Sequence, residues 1–229
     1  MTILDFPRAK IKTQIEYPES DGKPMAETPV HRKMLNDTIE SLIDFFRHLP
    51  NVYVSGNMMM YYAEGDPSAS VAPDVFVVKG VGKEDRRTYK LWEEKRAPCV
   101  VFEFTSRSTR LEDAGNKKAL YAMMGVREYF VCDPLNEYLE PPLQGYVLER
   151  GEYVKMSPEK NGSLTSHELG LKMTLEDQTL RLIDVKTGEK LLTPAEAQEK
   201  ARRETKARRA AETEVEKLRA ELAKLRGAK

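Results

Sequence analysis

The chain has 229 residues, of which 40% are hydrophobic and 32% charged, and 37 lysines and arginines balance 37 aspartates and glutamates. The apolar fraction excludes a disordered chain, and the length is enough for one well-filled core. No run approaches the roughly 18–20 consecutive apolar residues of a membrane helix, and the first residues lack the apolar segment of a signal peptide. We therefore expect a cytoplasmic protein without a membrane partner.

The zero net charge is an average over parts of different sign. Residues 79–127 contain 12 basic and 7 acidic side chains, residues 193–229 contain 11 and 7, and the remainder contains 14 and 23. Two basic zones on an acidic background are compatible with a polyanionic partner, against which the net charge alone would argue.

The chain opens with an extended arm and a helix. Residues 1–28 are polar and interrupted by prolines, which predicts an arm without a helix. Thr28 suits the N-cap of the following helix, and Pro29 suits its first position because no N–H group is needed there. Apolar residues recur at helical spacing as far as Leu49, so we expect a helix with one buried face that ends before Pro50.

The centre of the chain alternates apolar runs with one helix. We expect β structure in residues 52–62, 71–78, 97–106 and 126–134. The second run is interrupted by Asp74 and the third by Glu103. A helix is predicted from about residue 110 to Met124, with Gly125 at its C-terminal end. A strand–helix–strand unit flanked by further strands predicts an α/β sandwich with a mixed sheet.

The two cysteines, Cys99 and Cys132, lie inside two of these apolar runs. A small apolar side chain in a strand is usually buried, so we expect two reduced thiols, as in a cytosolic protein. Two thiols alone are too few for a zinc site.

The C-terminal part begins with short strands. Residues 145–156 predict a hairpin that turns at Arg150 and Gly151, and further short strands extend to about residue 192. We therefore predict that residues 1–192 form the globular domain, with the N-terminal arm as part of it.

Residues 193–229 predict a long charged helix. Thr193 suits its N-cap and Pro194 its first helical position, and the composition is then almost entirely Ala, Glu, Lys, Arg and Leu. Apolar residues at alternating spacings of three and four form a coiled-coil seam, namely Val215, Leu218, Leu222 and Leu225. The seam weakens upstream, so both a solvated helix and a helix that pairs at its C-terminal end remain open.

Asp74 and Glu103 are the first candidates for chemistry. An ionised carboxylate in a strand is costly unless it is paired or bound to metal. Strand alternation places Glu103 with Val101 and Thr105 on one face. Two such carboxylates can hold Mg²⁺ or Mn²⁺, which prefer oxygen ligands. Without further information, two solvent-facing acids at strand ends are the commoner interpretation.

The predicted helix adds a third element. Asp113, Lys117 and Tyr121 are four residues apart and therefore share one helix face. The commoner interpretation of such a pattern is a surface Asp–Lys pair. The alternative is that this face forms the third element of a site with the two strand acids.

The order of these motifs resembles a nuclease family. Pro73-Asp74, then Glu103 in VVFEFTSRSTR, then EDAGNKKALYAMMGVREYFVCDP resemble the PD-(D/E)XK nuclease superfamily, and within it the Uma-two family of restriction-endonuclease-like proteins. The upstream segment YPESDGKPMAETPVH is also similar to that family's signature. The resemblance covers about residues 17–192 and implies a restriction-endonuclease-like α/β core, in which helices flank a mixed sheet.

This resemblance implies a metal-dependent endonuclease that hydrolyses phosphodiester bonds in DNA. Asp74, Glu103 and the carbonyl group of Phe104 would hold Mg²⁺ or Mn²⁺. Lys117 would orient the attacking water and offset negative charge in the transition state. Glu27 matches a family acid that would orient Lys117 or contact the metal.

One position departs from the superfamily pattern. Thr105 occupies the place of the usual lysine, two residues after the second acid, and its hydroxyl carries no positive charge. The resemblance therefore assigns the role of the superfamily lysine to Lys117. The side chain of Lys118 would point about 100° away around the helix axis. The alternative is a catalytically weak or inactive nuclease-fold protein that acts as a DNA-binding or oligomeric assembly module.

Further side chains are candidates for contact with a nucleic acid. They are Arg107, Arg110, His31 and Tyr121, with Arg86 and Arg87 as additional basic residues. Each arginine alone is more often a solvated surface charge, and a lone histidine in a first helical turn often only caps or packs. We also expect a homodimer, aided by the C-terminal helix.

Overall fold

A computed structural model describes residues 15–20, 22, 28–105 and 113–227, and the statements below concern these residues. The helices are α1 (Pro29–Phe45), α2 (Leu91–Glu94), α3 (Lys118–Met124) and α4 (Pro194–Gly227), and a π-helical turn, Asp113–Lys117, leads into α3. None of these helices is both long enough and apolar enough to cross a bilayer.

Twelve described strands form three sheets. Their bounds are β1 (Val52–Ser55), β2 (Met60–Tyr61), β3 (Ser70–Val71), β4 (Val75–Lys79), β5 (Tyr89–Lys90), β6 (Val100–Phe104), β7 (Glu128–Cys132), β8 (Leu143–Glu149), β9 (Glu152–Lys155), β10 (Leu164–Ser166), β11 (Leu171–Glu176) and β12 (Thr179–Asp184). The central sheet has the order β1-β4-β6-β7-β8-β9, and the two smaller sheets are β10-β11-β12 and β3-β2-β5.

The central sheet is mixed, as the sequence predicts. Strands β6 and β7 are parallel, and the π-helical turn and α3 connect them, whereas the neighbouring pairs β4–β6 and β7–β8 are antiparallel. A parallel pair needs such a crossover connection because both strands start at the same end of the sheet, and a short turn cannot bring the chain back to that end. The α/β fold class is therefore confirmed.

Both faces of the central sheet are covered, which explains why its strands are continuously apolar. In β4, Val75 and Val77 face the core beneath α1 and the β10-β11-β12 sheet. Phe76 and Val78 face a second core that contains Tyr121 of α3. Successive strand side chains point to opposite faces, so one apolar run serves two cores.

Two predicted β runs are divided in the structure. The run 52–62 forms β1 and β2 in different sheets, because the chain turns at Gly56 and at Asn57, whose φ is 53°. The run 71–78 is divided as well, and Asp74 directly precedes β4 rather than lying within a strand. Apolar content indicates strand structure but does not show where a strand changes sheet.

The predicted start of α1 is confirmed, and its predicted end is too late. The Thr28 side chain accepts a hydrogen bond from the His31 N–H at 3.3 Å, and Pro29 occupies the first helical position. The helix ends at Phe45 rather than near Leu49. The helix predicted from about residue 110 begins outside the described residues, and its first described turn is π-helical.

The predicted hairpin and C-terminal helix are confirmed. Strands β8 and β9 turn at Arg150 and Gly151, which both have positive φ. At the start of α4 the Glu196 side chain accepts the Thr193 N–H at 2.9 Å, and the Thr193 side chain accepts the Glu196 N–H at 3.4 Å, which is a capping box. The division at residue 192 stays a prediction.

The cysteine prediction agrees with the structure. Cys99 and Cys132 are both free and buried. Burial also raises the pKa of the Cys99 thiol to about 11, so this side chain behaves as a small apolar group of the core.

Candidate active site

Asp74 and Glu103 lie opposite each other at the ends of two antiparallel strands. In the β4–β6 register Val75 pairs with Phe102, and one further step along this register brings Asp74 opposite Glu103. The Asp74 side chain reaches across to β6, where its Oδ2 accepts the backbone N–H of Phe104 at 2.6 Å. The sheet therefore brings together two acids that are 29 positions apart in the chain.

Gly56 allows the chain before β4 to take this position. A Cβ atom at residue 56 would lie 2.0 Å from the carbonyl oxygen of Asp74, far inside any van der Waals contact. Beside it, the Asn57 N–H donates to the Pro73 carbonyl at 2.8 Å. The sequence analysis did not single out Gly56, although a glycine directly after a strand is a signal of close backbone approach.

We expect Gly56→Ala to destabilise the protein by about 2–3 kcal/mol, because the added methyl group forces the Asp74 backbone to move. Urea unfolding followed by circular dichroism measures this change. Gly115→Ala is the matched control, since a Cβ at residue 115 meets no atom within 4 Å. Equal stability of Gly56→Ala and the wild type would show that the turn adapts and does not fix Asp74.

Glu103 is buried and is held by two side chains from the crossover helix. Its side chain is 1% exposed. Lys117 Nζ donates to Glu103 Oε2 at 2.9 Å, and the Tyr121 hydroxyl donates to Oε1 at 2.5 Å. Lys117 and Tyr121 are one helical turn apart, so the predicted shared face is confirmed for this pair, whereas the Asp113 side chain lies outside the described atoms.

Tyr121 is completely buried between Glu103 and the aromatic core. Burial, the nearby charge of Glu103 and the hydrogen bond to it raise the pKa of Tyr121 well above its ordinary value, so the hydroxyl stays protonated and remains a donor. A fully buried side chain offers no surface to a polyanion. The predicted nucleic-acid contact of Tyr121 thus does not agree with its position, which instead suits it to orient Glu103.

We expect Tyr121→Phe to lower the free energy of unfolding by about 1–3 kcal/mol, because a buried carboxylate loses one of its donors. Tyr146→Phe is a control in the same aromatic cluster, since its hydroxyl donates to the neutral, half-buried Gln144 at 2.9 Å. Denaturant titrations of both variants measure the difference. A smaller loss for Tyr121→Phe than for Tyr146→Phe would contradict this role.

His31 lies beside Asp74 and not on the outer surface of α1. Its Nε2 atom is 3.4 Å from Asp74 Oδ2, and its ring packs edge-on against Phe104 with 6.0 Å between the ring centres. The side chain is 11% exposed. The structure thus brings His31, a predicted nucleic-acid contact, to the site. There its side chain contacts an acid and is largely shielded from solvent.

Lys117 and Lys118 point in different directions, as the helical geometry predicts. Lys117 meets Glu103, whereas the Lys118 ammonium group lies 3.6 Å from the ring centre of Tyr146. Thr105 is 3% exposed, and among the described residues its hydroxyl has no hydrogen-bond partner. The cation beside Glu103 is therefore supplied from the helix and not from residue 105.

Two further buried acids on the central sheet have structural roles. Glu128 accepts backbone N–H groups of His167 and Glu168 at 2.9 and 3.2 Å, and Asp133 accepts those of Leu135 and Leu139 at 3.2 and 3.0 Å. Backbone donors fix a loop but supply no charge. Glu103 differs from both because a lysine ammonium group pairs with it.

The site offers oxygen ligands to a hard divalent cation. Asp74 is 15% exposed at its side chain, and among the described residues its Oδ1 makes no hydrogen bond. Carboxylate and carbonyl oxygens are the ligands that Mg²⁺ and Mn²⁺ prefer, so Asp74, Glu103 and the Phe104 carbonyl fit such an ion by their chemistry. The described residues contain no group of three or more His, Cys, Asp or Glu side chains placed to hold a metal. Glu27, the further predicted acid, lies outside them.

Much of the basic zone at residues 79–127 is paired with acids. Described ion pairs include Lys79–Glu168 at 3.1 Å, Arg86–Glu94 at 2.7 Å, Arg87–Glu19 at 2.5 Å and Arg127–Glu168 at 2.8 Å. The predicted phosphate contacts Arg107 and Arg110 lie outside the described residues. The local charge available to a phosphate backbone is therefore smaller than the count of lysines and arginines predicts.

Residues 3–183 match the Uma2 family, which is described as Putative restriction endonuclease. This match confirms the resemblance drawn from the motifs. Among solved structures, the fold is similar to a crystal structure of a putative nuclease belonging to DUF820 from Anabaena variabilis. The sequences are 14% identical with a TM-score of 0.50, and the similarity covers 68% of this chain and 83% of the other. No curated protein matches the chain.

Proposed function

Because the chain belongs to the Uma2 family of restriction-endonuclease-like proteins, we propose that it is a metal-dependent endonuclease that hydrolyses phosphodiester bonds in DNA. The observation that carries this proposal is the group formed by Asp74, Glu103 and Lys117. Asp74, directly before β4, lies opposite Glu103 of β6, and Lys117 of the π-helical turn pairs with Glu103 at the same end of the sheet. The free, buried cysteines support a cytoplasmic location.

Asp74, Glu103 and the carbonyl oxygen of Phe104 would hold Mg²⁺ or Mn²⁺. Such an ion supplies polarisation of a phosphate oxygen and a lower pKa for bound water. Asp74 keeps its orientation because the Phe104 N–H fixes its Oδ2. Tyr121 and Lys117 fix the two oxygens of Glu103 in the same way.

Lys117 would act on the reacting groups themselves. In hydrolysis a water oxygen bonds to phosphorus, the bond to one bridging oxygen breaks, and the leaving oxygen gains a proton. Negative charge builds on the phosphate during this step, and a fixed ammonium group close to it lowers the barrier. Lys117 is 15% exposed, so it is partly shielded from water and held by Glu103 before substrate binds.

The experiment is a nicking assay on supercoiled plasmid with purified protein. We expect relaxed and linear products with Mg²⁺ or Mn²⁺ and none with EDTA. Activity that persists in EDTA, or that an Asp74 variant retains in full, would assign the cleavage to a contaminant and reject the proposal. A single-stranded oligonucleotide and an RNA of the same sequence, tested in parallel, identify the preferred polymer.

A second candidate function rests on Thr105. The superfamily lysine is absent there, and the only cation that the described residues place on Glu103 is Lys117. A protein of this kind that retains plasmid in a gel-shift assay without cutting it, with Mg²⁺ or Mn²⁺ present, would be a DNA-binding module with a nuclease fold.

A further inference from the structure

Helix α4 carries an exposed apolar stripe, which we define as Val215, Leu218 and Leu222. Their exposed fractions are 46%, 51% and 53%. The helix has 34 residues and is therefore about 50 Å long at 1.5 Å per residue. From residue 206 onwards every described side chain is exposed, so nothing in the described chain covers the stripe.

The N-terminal end of α4 is fixed to the globular part. Arg181 of β12 pairs with Glu196 at 2.8 Å, and this ion pair together with the capping box lowers the pKa of Glu196 to about 2. The Ser41 hydroxyl of α1 donates to the carbonyl of Leu192, directly before the helix, at 3.0 Å. Because the N-terminal end of α4 is fixed and the apolar stripe is exposed, the C-terminal half of the helix is the part available to a second protein chain.

The stripe follows a heptad repeat. Val215 and Leu222 occupy a positions, Leu218 occupies a d position, and Leu225 continues the spacing in the sequence. A β-branched residue at a with leucine at d, as at Val215 and Leu218, favours two-stranded parallel coiled coils. Upstream the same register places Arg208 at a, so the pairing segment is limited to residues 211–226.

The flanking charges select the orientation of the two strands. Both g positions are glutamates, Glu214 and Glu221, and the following e positions are arginines, Arg219 and Arg226. In a parallel pair each g residue faces the next e residue of the second helix, which gives two kinds of Glu–Arg pair, Glu214–Arg219 and Glu221–Arg226, while Glu212 faces Ala207. An antiparallel pair would face g with g, which places glutamate against glutamate, and e with e, where Glu212 is the one acid of the segment that the two arginines could meet.

We propose that α4 forms a short parallel coiled coil with α4 of a second copy of this chain, through residues 211–226. The covered surface is the apolar stripe, and the orientation follows from the Glu–Arg pairs. This assembly places both globular parts at the same end of the coiled coil. It does not rest on the proposed nuclease activity, because its tests measure association alone.

A cysteine pair tests the register in the full-length chain. Ala211 occupies a d position, so in a parallel dimer Ala211→Cys lies opposite its own copy and forms an intermolecular disulfide under mild oxidation. Ala210→Cys is the matched control at the outward c position. The native cysteines are buried and do not compete. Equal crosslinking of the two variants would overturn the proposal, and so would a monomer by sedimentation at all micromolar concentrations.

Charge reversal tests the orientation. The double variant Glu214→Arg/Glu221→Arg is expected to weaken dimerisation at least about tenfold by sedimentation equilibrium. Adding Arg219→Glu and Arg226→Glu restores it, because the Glu–Arg pairs return with opposite polarity. These residues are exposed, so the globular part stays folded. In a parallel mixed dimer of wild type and the fourfold variant, residues of like charge would face each other. Energy transfer between the two labelled proteins should therefore be absent. Energy transfer, and thus mixed dimers, would indicate an antiparallel coiled coil and overturn the proposed orientation.

Discussion

Replacing Lys117 with methionine is expected to slow plasmid cleavage about 10²–10³-fold, while the protein still binds the divalent metal. The ammonium group is the cation that pairs with Glu103 in the described site, at 2.9 Å, and methionine keeps its apolar stem but not its charge. Metal binding should persist, or strengthen, because a positive charge beside the ligands is removed. Single-turnover kinetics and metal titration by calorimetry measure the two effects separately.

Lys118→Met is the matched control for this variant. Lys118 is the next residue in the same helix, but its ammonium group lies over the Tyr146 ring, so cleavage should be unchanged. Loss of one partner of a buried ion pair costs about 3–5 kcal/mol, so the fraction of folded Lys117→Met is measured first by circular dichroism. Folded Lys117→Met that cleaves at the wild-type rate would reject the role of this lysine.

Replacing Asp74 with asparagine is expected to remove metal binding and to slow cleavage by about 10²-fold or more, because the metal loses a charged ligand worth several kcal/mol in the transition state. The fold should survive, since the amide oxygen of asparagine can still accept the Phe104 N–H that Asp74 accepts at 2.6 Å. The measurement is the rise in melting temperature on adding Mn²⁺, together with the nicking rate.

Asp44→Asn is the control for this change. Asp44 pairs with Arg47 on the surface of α1 with 74% of its side chain exposed, so its substitution alters the charge equally but leaves the site intact. Normal metal binding by Asp74→Asn would remove Asp74 from the metal ligands, and full cleavage by this variant would assign the cleavage to a contaminant. Normal metal binding with lost cleavage would instead place Asp74 on the substrate.

Several elements of the fold were predictable because their signals are local. The Thr28 cap, the turn at Arg150 and Gly151 and the capping box at Thr193 each depend on residues within a few positions of one another. The boundaries of β2, β3 and β4 were not predictable in the same way. Each boundary depends on which distant strand the segment pairs with. Met60, for example, pairs with Tyr89 in a separate small sheet.

The candidate site shows the same division. The family resemblance pointed to Asp74, Glu103 and Lys117 as candidates, and helical geometry separated Lys117 from Lys118. The sequence placed Tyr121 as a surface contact, because periodicity gives the face of a helix but not what covers that face. The tight approach of Gly56 to Asp74 also arises from a turn that meets a neighbouring strand.

The α/β class, the family and the heptad spacing of the C-terminal helix follow from the amino-acid chain alone, and the family resemblance adds the candidate acids and lysine. The class and the heptad depend on residue types at short, regular spacing, whereas the family and its candidate residues depend on motifs distributed over about residues 17–192. Three features depend on how the chain packs: Asp74 lies opposite Glu103, Tyr121 is a buried donor, and many basic residues are already paired. Strand register, burial and ion pairing involve residues far apart in the chain, which meet only when the sheets and helices pack.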